Sequence, residues 1–193
     1  MLSNLSDFQL ILASQSPRRQ ELLAGLDIPF TVNVIPGLEE NYPDTLIGAE
    51  IPLYLAKQKA LAYKHILTDN TLLITADTIV WCENKVLEKP ADVADAKRML
   101  RQLSGREHTV YTGVCLQSMQ KQVAFVVDTV VRFAALTDAE IEYYVEKYRP
   151  MDKAGSYGVQ EWIGYVAVEH INGSFYNVMG LPVQRLYAEL KKW

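Results

Sequence analysis

The chain has 193 residues, 49% hydrophobic and 22% charged, which excludes disorder as its main state and leaves enough core to fold without disulfides or a structural metal. Its 19 basic residues against 23 acidic ones give a net charge of −4, which excludes a general nucleic-acid surface but not a local cluster of cations for a small anion. Apolar runs such as Val123 to Val127 fall far short of the ~18 residues of a spanning helix, the segment from Met1 to Leu10 lacks a basic n-region, and Cys82 and Cys115 form no Cys-x-x-Cys pair. The expectation is a cytoplasmic protein with free thiols, no membrane partner, no nucleic-acid partner and no zinc site.

In chain order, Gln9 to Ala13 reads as a short buried strand. Ser16-Pro17 follows as an N-cap with proline at the first helical position, opening a helix through Leu22, Leu23 and Leu26. Phe30 to Ile35 predicts a second strand. Glu50 to Ile66 predicts a helix, with Pro52 tolerated in its first turn. Leu72 to Ala76 is a third buried strand. Asp92 caps a helix with Val93, Ala96, Leu100 and Leu103 on one stripe and Gly105 just past its end. Two long strands, about 109–117 and 123–134, form an antiparallel pair. Thr137 and Glu140 make a capping box for a helix carrying Ile141, Tyr144, Val145 and Tyr148. A loop from Pro150 to Gly164 leads to a strand over Tyr165 to Ile171, and a final helix carries Leu186 and Leu190. Early alternation with long antiparallel strands in the middle predicts an α/β fold with a mixed sheet.

The first strand–helix junction is Ser14-Gln15-Ser16-Pro17-Arg18-Arg19. A helix N-terminus offers unpaired N–H groups and partial positive charge, which attract anions. Two arginines there oppose the dipole, by ~0.3–1 kcal/mol each at an exposed site. A bound phosphate would reverse that sign, and the guanidinium fork suits it; solvated surface arginines are the plainer alternative. Asp77 follows the third strand and so is expected at the carboxyl end of a strand, where open α/β sheets bind ligands. As a metal ligand, a general base or a structural acid, it stays open on position alone. Glu88-Lys89-Pro90 closes a hairpin that turns near Glu83-Asn84. Lys59 lies in an apolar helical stripe with Leu55, Ala56, Tyr63 and Ile66, and either snorkels to solvent or faces a phosphate. Glu39 and Glu40 are paired loop acids, solvated or magnesium-binding. Asp152 to Gln160 mixes small and hydrogen-bonding residues and either admits a ligand close to the backbone or is a plain turn. His65, His108 and His170 share no ligand spacing. Tyr143, Tyr144 and Tyr148 read as core.

These segments also occur as an ordered set. Ser14 to Arg19, Leu55 to Ala60, Ala76-Asp77-Thr78, Glu88-Lys89-Pro90, Leu103-Ser104-Gly105, Asp152-Lys153-Ala154-Gly155 with Gln160, and Gly173-Ser174 followed by Asn177-Val178 and Gly180-Leu181-Pro182 together resemble the Maf family of nucleotide pyrophosphatases. The resemblance implies a single domain over 1–193. The fold it implies is an elongated mixed β-sheet with flanking helices, two lobes around a cleft, similar to the inosine-triphosphate pyrophosphatases. The implied activity is cleavage of a nucleoside triphosphate to monophosphate and pyrophosphate with a divalent cation, magnesium or manganese. Pro17-Arg18-Arg19, Asp77-Thr78 and Gln160 resemble the members acting on dTTP and UTP; the tryptophan and glutamine of the 7-methyl-GTP subgroup are absent. By similarity Asp77 accepts a proton and is a candidate metal ligand. Arg18, Thr78 and Gln160 set specificity, and Ser14, Arg19, Lys59 and Lys89 hold the triphosphate. Metal roles for Glu39 and Glu40 are weaker, because Asn41 to Thr45 departs from the family pattern. A homodimer is a family-level expectation. Neither a Cys–His nor a Ser–His pair stands out, which favours direct attack by water. Glutamine alone reads a pyrimidine edge in either amide orientation, and the Thr78 hydroxyl is the candidate that fixes it. The competing readings are a nucleotide-binding regulator of cell division and septum formation without significant turnover, and a pyrophosphatase for another modified nucleotide.

Overall fold

The computed structural model describes residues 2–193; Met1, where the segment read for a secretory signal begins, lies outside them. Among the described residues seven strands form one mixed sheet. β1 (Gln9–Leu12) pairs in parallel with β2 (Thr31–Val32) on one side and with β3 (Thr71–Cys82) on the other. The order continues through β5 (Glu107–Gln117) and β6 (Gln122–Phe133) to β7 (Val168–Asn172), which runs antiparallel to β6. β4 (Lys85–Leu87) lies off this path, antiparallel on β3. The turn from Ser118 to Lys121 joins β5 to β6, a connection short enough only for antiparallel strands. The α/β class with a mixed sheet read from the sequence is the observed one.

The helices follow local signals. α1 (Pro17–Ala24) is capped by Ser16, whose hydroxyl accepts from the Arg19 N–H. α3 (Val93–Leu103) is capped by Asp92, which accepts from Asp95 N–H at 2.8 Å. α4 (Asp138–Tyr148) carries the complete Thr137–Glu140 capping box. The predicted α3 stripe is buried at Ala96, Leu100 and Leu103, whereas Val93 in the first turn is exposed. α2 (Glu50–Ala62) ends four residues before Ile66, and the chain continues in a single tight 3-10 turn.

Three expectations need correction. β3 does not stop at Ala76: Thr78, Ile79 and Val80 carry it on, so Asp77 lies inside a strand rather than at a carboxyl end. No glycine or proline interrupts that stretch, and its β-branched residues suit a strand covered on both faces. The second strand shrinks to Thr31–Val32. Tyr165 to Ala167, read as strand, belongs to α5 (Trp162–Ala167), because a turn closed by Gly164 N–H on the Glu161 carbonyl starts a helix there. The short α6 (Phe175–Met179) gave no signal, and α7 (Val183–Leu190) is the expected last helix.

The chain divides into two compact units. The first comprises Met1–Asp77, Thr112–Val127 and Gly180–Trp193. Part of its core gathers Ala13, Ala56, Ala60, Tyr63, Leu73 and Cys115. The Tyr63 hydroxyl accepts from Ile35 N–H at 2.8 Å and donates to the Asn33 carbonyl, pinning the chain after β2. The second comprises Thr78–Tyr111 and Asp128–Met179, with a core that includes Met99, Leu100, Leu103, Phe133, Tyr144, Tyr157 and Ile163. Both cysteines are free and buried. No helix among the described residues is long and apolar enough to cross a membrane.

Candidate active site

In the first unit, β1 delivers the chain into the Ser14–Arg19 junction. Ser14 is buried, and its hydroxyl accepts from the Ser16 N–H at 3.2 Å. Its carbonyl accepts from the Gln20 amide. Arg18 is half-buried. Arg19 does not point to solvent: its Nε donates to the Gly180 carbonyl at 2.8 Å. Burial lowers the Arg19 pKa, and the charges of Asp77 and Glu40 work against that shift. The guanidinium is therefore within electrostatic reach of both carboxylates.

α2 is set against the sheet by two contacts. Gly113 on β5 lies so close that a Cβ there would be 2.3 Å from the Pro52 carbonyl oxygen. The buried Thr75 hydroxyl on β3 donates to the Ala56 carbonyl at 2.6 Å. One helical turn beyond Ala56 comes Lys59, and two residues beyond Thr75, on the same strand face, comes Asp77. Lys59 Nζ lies 2.6 Å from Asp77 Oδ1 and 2.7 Å from Glu40 Oε1. Lys59 thus meets carboxylates in place of snorkelling to water, and Asp77 is buried, 7% exposed. The two loop acids part company: Glu40 joins this group, while Glu39 accepts from the Asn41 side chain at 2.9 Å.

The second unit carries Thr78, Lys89 and Gln160. Thr78 follows Asp77 on β3 and so faces the opposite side of the sheet. The hairpin turn is at Glu83-Asn84 as expected, both residues in the left-handed region that a two-residue hairpin turn demands. Lys89 is exposed, next to Glu88, whose carbonyl accepts from Gly155 N–H at 3.1 Å. Gln160 is half-buried, and its Oε1 is fully buried without a hydrogen-bond partner among the described residues. The Thr78 hydroxyl therefore does not hold that amide oxygen.

A family model described as Maf-like protein matches residues 9–193. This chain belongs to the Maf family. It is 58% identical over 191 residues to a protein of Parabacteroides distasonis named dTTP/UTP pyrophosphatase, covering 99% of each chain. Proteins of the same name from Phocaeicola vulgatus, 57% identical with 100% of each chain covered, and Porphyromonas gingivalis, 56% identical with 99% of this chain and 97% of that one covered, are similarly close. Among solved structures, a HAM1 protein from Coxiella burnetii is 16% identical, with 96% of this chain and 100% of that one covered and a TM-score of 0.49.

Of the residues that match the Maf motifs, the first unit brings Lys59, Asp77 and Arg19 together, and adds Glu40. Sequence reasoning missed a second polar group around the Gln160 segment. Tyr144 is fully buried, as a core residue should be, but its hydroxyl donates to Glu161 and accepts from Gly158 N–H at 3.0 Å. Lys153, one of the motif residues, pairs with Glu161 at 3.1 Å. The signal available was Glu161 itself, an acid beside Gln160 ahead of an apolar stretch. His108, read as a surface or strand residue, is a buried strand residue whose Nε2 lies 2.8 Å from the Tyr157 hydroxyl.

Proposed function

We propose that this Maf protein hydrolyses dTTP and UTP to the monophosphate and pyrophosphate by direct attack of water. The observation that carries the reading is the buried Asp77 carboxylate held against the Lys59 ammonium with the Arg19 guanidinium nearby. Cleaving a triphosphate requires neutralised phosphate charge and an acceptor for one proton, and this group contains both. Water oxygen bonds to the α-phosphorus, the bond to the α–β bridging oxygen breaks, pyrophosphate leaves, and Asp77 takes the water's proton. Ser14, Arg19, Lys59 and Lys89 serve the phosphates, and Arg18 stands at a specificity position. A protein that only bound triphosphate would gain nothing from a buried carboxylate among those cations, since it repels the ligand. That supports turnover over a purely regulatory role.

The donor set also suits a divalent cation. Among the described residues no group of three or more histidines, cysteines and acids converges. Asp77 and Glu40 nevertheless aim two carboxylate oxygens at one ammonium. Magnesium and manganese are commonly held by one or two carboxylates completed by substrate phosphates. Such an ion would neutralise phosphate charge and acidify water.

Base choice falls to Gln160. Its buried Oε1 lacks a donor among the described residues, and the N3–H of uracil or thymine supplies one, while the amide NH₂ donates to O4. Cytosine presents an acceptor at N3 and leaves that oxygen unpaired. Pyrophosphate release by the purified protein from dTTP, UTP, CTP and GTP tests the reading, with dTTP and UTP expected to exceed CTP. Gln160→Glu is expected to lower kcat/KM for dTTP and UTP far more than for CTP. No release from any of the four would overturn the activity; equal loss on all four would remove Gln160 from base reading.

A further inference from the structure

The segment that carries Gln160 is held more elaborately than a turn needs. Gly155 and Ser156 are consecutive residues in the left-handed region, with φ 67° and 60°. Serine rarely adopts that conformation, and such strain persists only where surroundings over-determine it. A Cβ on Gly155 would meet the Val80 side chain at 2.9 Å, so the segment lies directly on β3. Next, the Tyr157 hydroxyl is fixed by His108, at 2.8 Å. Gly158 N–H is taken by the Tyr144 hydroxyl, which donates in turn to Glu161 Oε2. Glu161 Oε1 is paired with Lys153, buried at the start of the same segment and also 2.8 Å from Asp152. A Cβ on Gly158 would fall 2.9 Å from Glu161 Cδ and 3.1 Å from Lys153 Cε, so this ion pair closes over the backbone only because position 158 is glycine.

Gln160 sits inside this clamp, between the residues held at 157–158 and the one held at 161. Within this network two side-chain atoms are buried and unbonded among the described residues, the Gln160 amide oxygen and His108 Nδ1, and of the two only the glutamine oxygen lies in the clamped segment. A buried acceptor without a donor costs stability, and a ligand that brings a donor to Gln160 relieves that cost. Burial and the adjoining Glu161 carboxylate push the Tyr144 pKa up, so its hydroxyl stays protonated and keeps donating.

We propose that Tyr144 and Glu161 are positioning residues for base selection: by gripping Gly158 and Lys153 they fix the backbone on both sides of Gln160 and preset its amide oxygen for an N3–H donor. This rests on the reading that Gln160 reads the base. Preset geometry removes the ordering cost that a mobile glutamine would incur on binding. The effect belongs in discrimination and KM, not in the chemical step, because neither residue is among those assigned to the phosphates or to the water's proton.

The test is steady-state kinetics with UTP and CTP on Tyr144→Phe, Glu161→Gln and Gln160→Ala, and on the double variant Tyr144→Phe/Gln160→Ala. Tyr144→Phe is expected to lower the UTP-to-CTP ratio of kcat/KM about tenfold, one hydrogen bond's worth of selectivity, through a raised KM for UTP with kcat little changed. Glu161→Gln should shift the ratio in the same direction, and carries the test if Tyr144→Phe does not fold. In the Gln160→Ala background Tyr144→Phe should leave the ratio where it is. If Gln160→Ala collapses the ratio while the Tyr144 and Glu161 variants lose UTP and CTP activity equally, or lose none, the positioning role is overturned and the base reading stands. If Gln160→Ala leaves the ratio unchanged, the base reading falls and the positioning role with it.

Discussion

Lys59 reaches Asp77 at 2.6 Å because Thr75, two residues earlier on the strand, already grips Ala56, one turn earlier on the helix. The two contacts are successive rungs between one strand face and one helix face. The first is a neutral hydrogen bond that sets the spacing; the second is an ion pair placed by it. Gly113 makes the approach possible by leaving room for the Pro52 backbone. The candidate proton acceptor is thus positioned by a hydroxyl and a missing side chain, neither of which takes part in the chemistry.

Asp77→Asn keeps the shape and an oxygen to accept from Lys59, but removes proton acceptance and charge. Turnover of dTTP should fall by at least ~10², the range usual for loss of a general base, while the melting temperature changes little. A variant that turns over dTTP at nearly the wild-type rate would make Asp77 a structural acid.

Gly113→Ala places a methyl 2.3 Å from the Pro52 carbonyl oxygen and 2.5 Å from Leu53 N. Both neighbours are backbone, so the helix must move. A loss of about 3 kcal/mol is expected, which for a protein of this size lowers Tm by about 6–12 °C. Calorimetry should show it together with reduced activity, since Lys59 rides on that helix. An unchanged Tm would mean that α2 accommodates the methyl without cost.

Arg19→Ala separates two arguments. The helix dipole alone predicts a gain of a few tenths of a kcal/mol on removing a cation from the first turn. The bond from Arg19 Nε to the Gly180 carbonyl predicts a net loss of about 1–2 kcal/mol. Urea unfolding should show the loss, with a raised KM for dTTP; equal or greater stability would return Arg19 to a solvated surface role.

His108 gives a pH signature. Burial pushes its pKa down from 6.5 to about 4. Above pH 6.5 the histidine is neutral in both folded and unfolded chains and costs nothing. Between about 6.5 and 4 the unfolded chain takes up a proton that the native state refuses, so stability falls as pH falls, by about 3 kcal/mol in all. Below pH 4 both states are protonated and the group contributes no further change. His108→Gln should flatten the stability profile in that window by close to one proton; an identical slope would show that His108 is not the group responsible.

Local structure and the inventory of the site were legible in the order of residues alone. Ser16-Pro17, Asp92 and the Thr137–Glu140 pair set helix starts, and Glu83-Asn84 sets the hairpin turn, because caps and turns are decided by neighbours within about four residues. The ordered motifs likewise identified Asp77, Lys59, Arg19 and Gln160 as the residues to watch. Which way the charges point depends on packing between distant segments. Lys59 and Arg19 each had a solvent-facing alternative with the same local pattern, and their partners lie 18 and 161 residues away along the chain. Tertiary packing also decided that β3 continues past Asp77, that Glu40 joins the site while Glu39 turns aside, and that Tyr144 is a hydrogen-bonding group as well as a core ring. A buried polar atom takes whichever partner the packed chain brings within about 3 Å, and periodicity along the sequence carries no record of that choice.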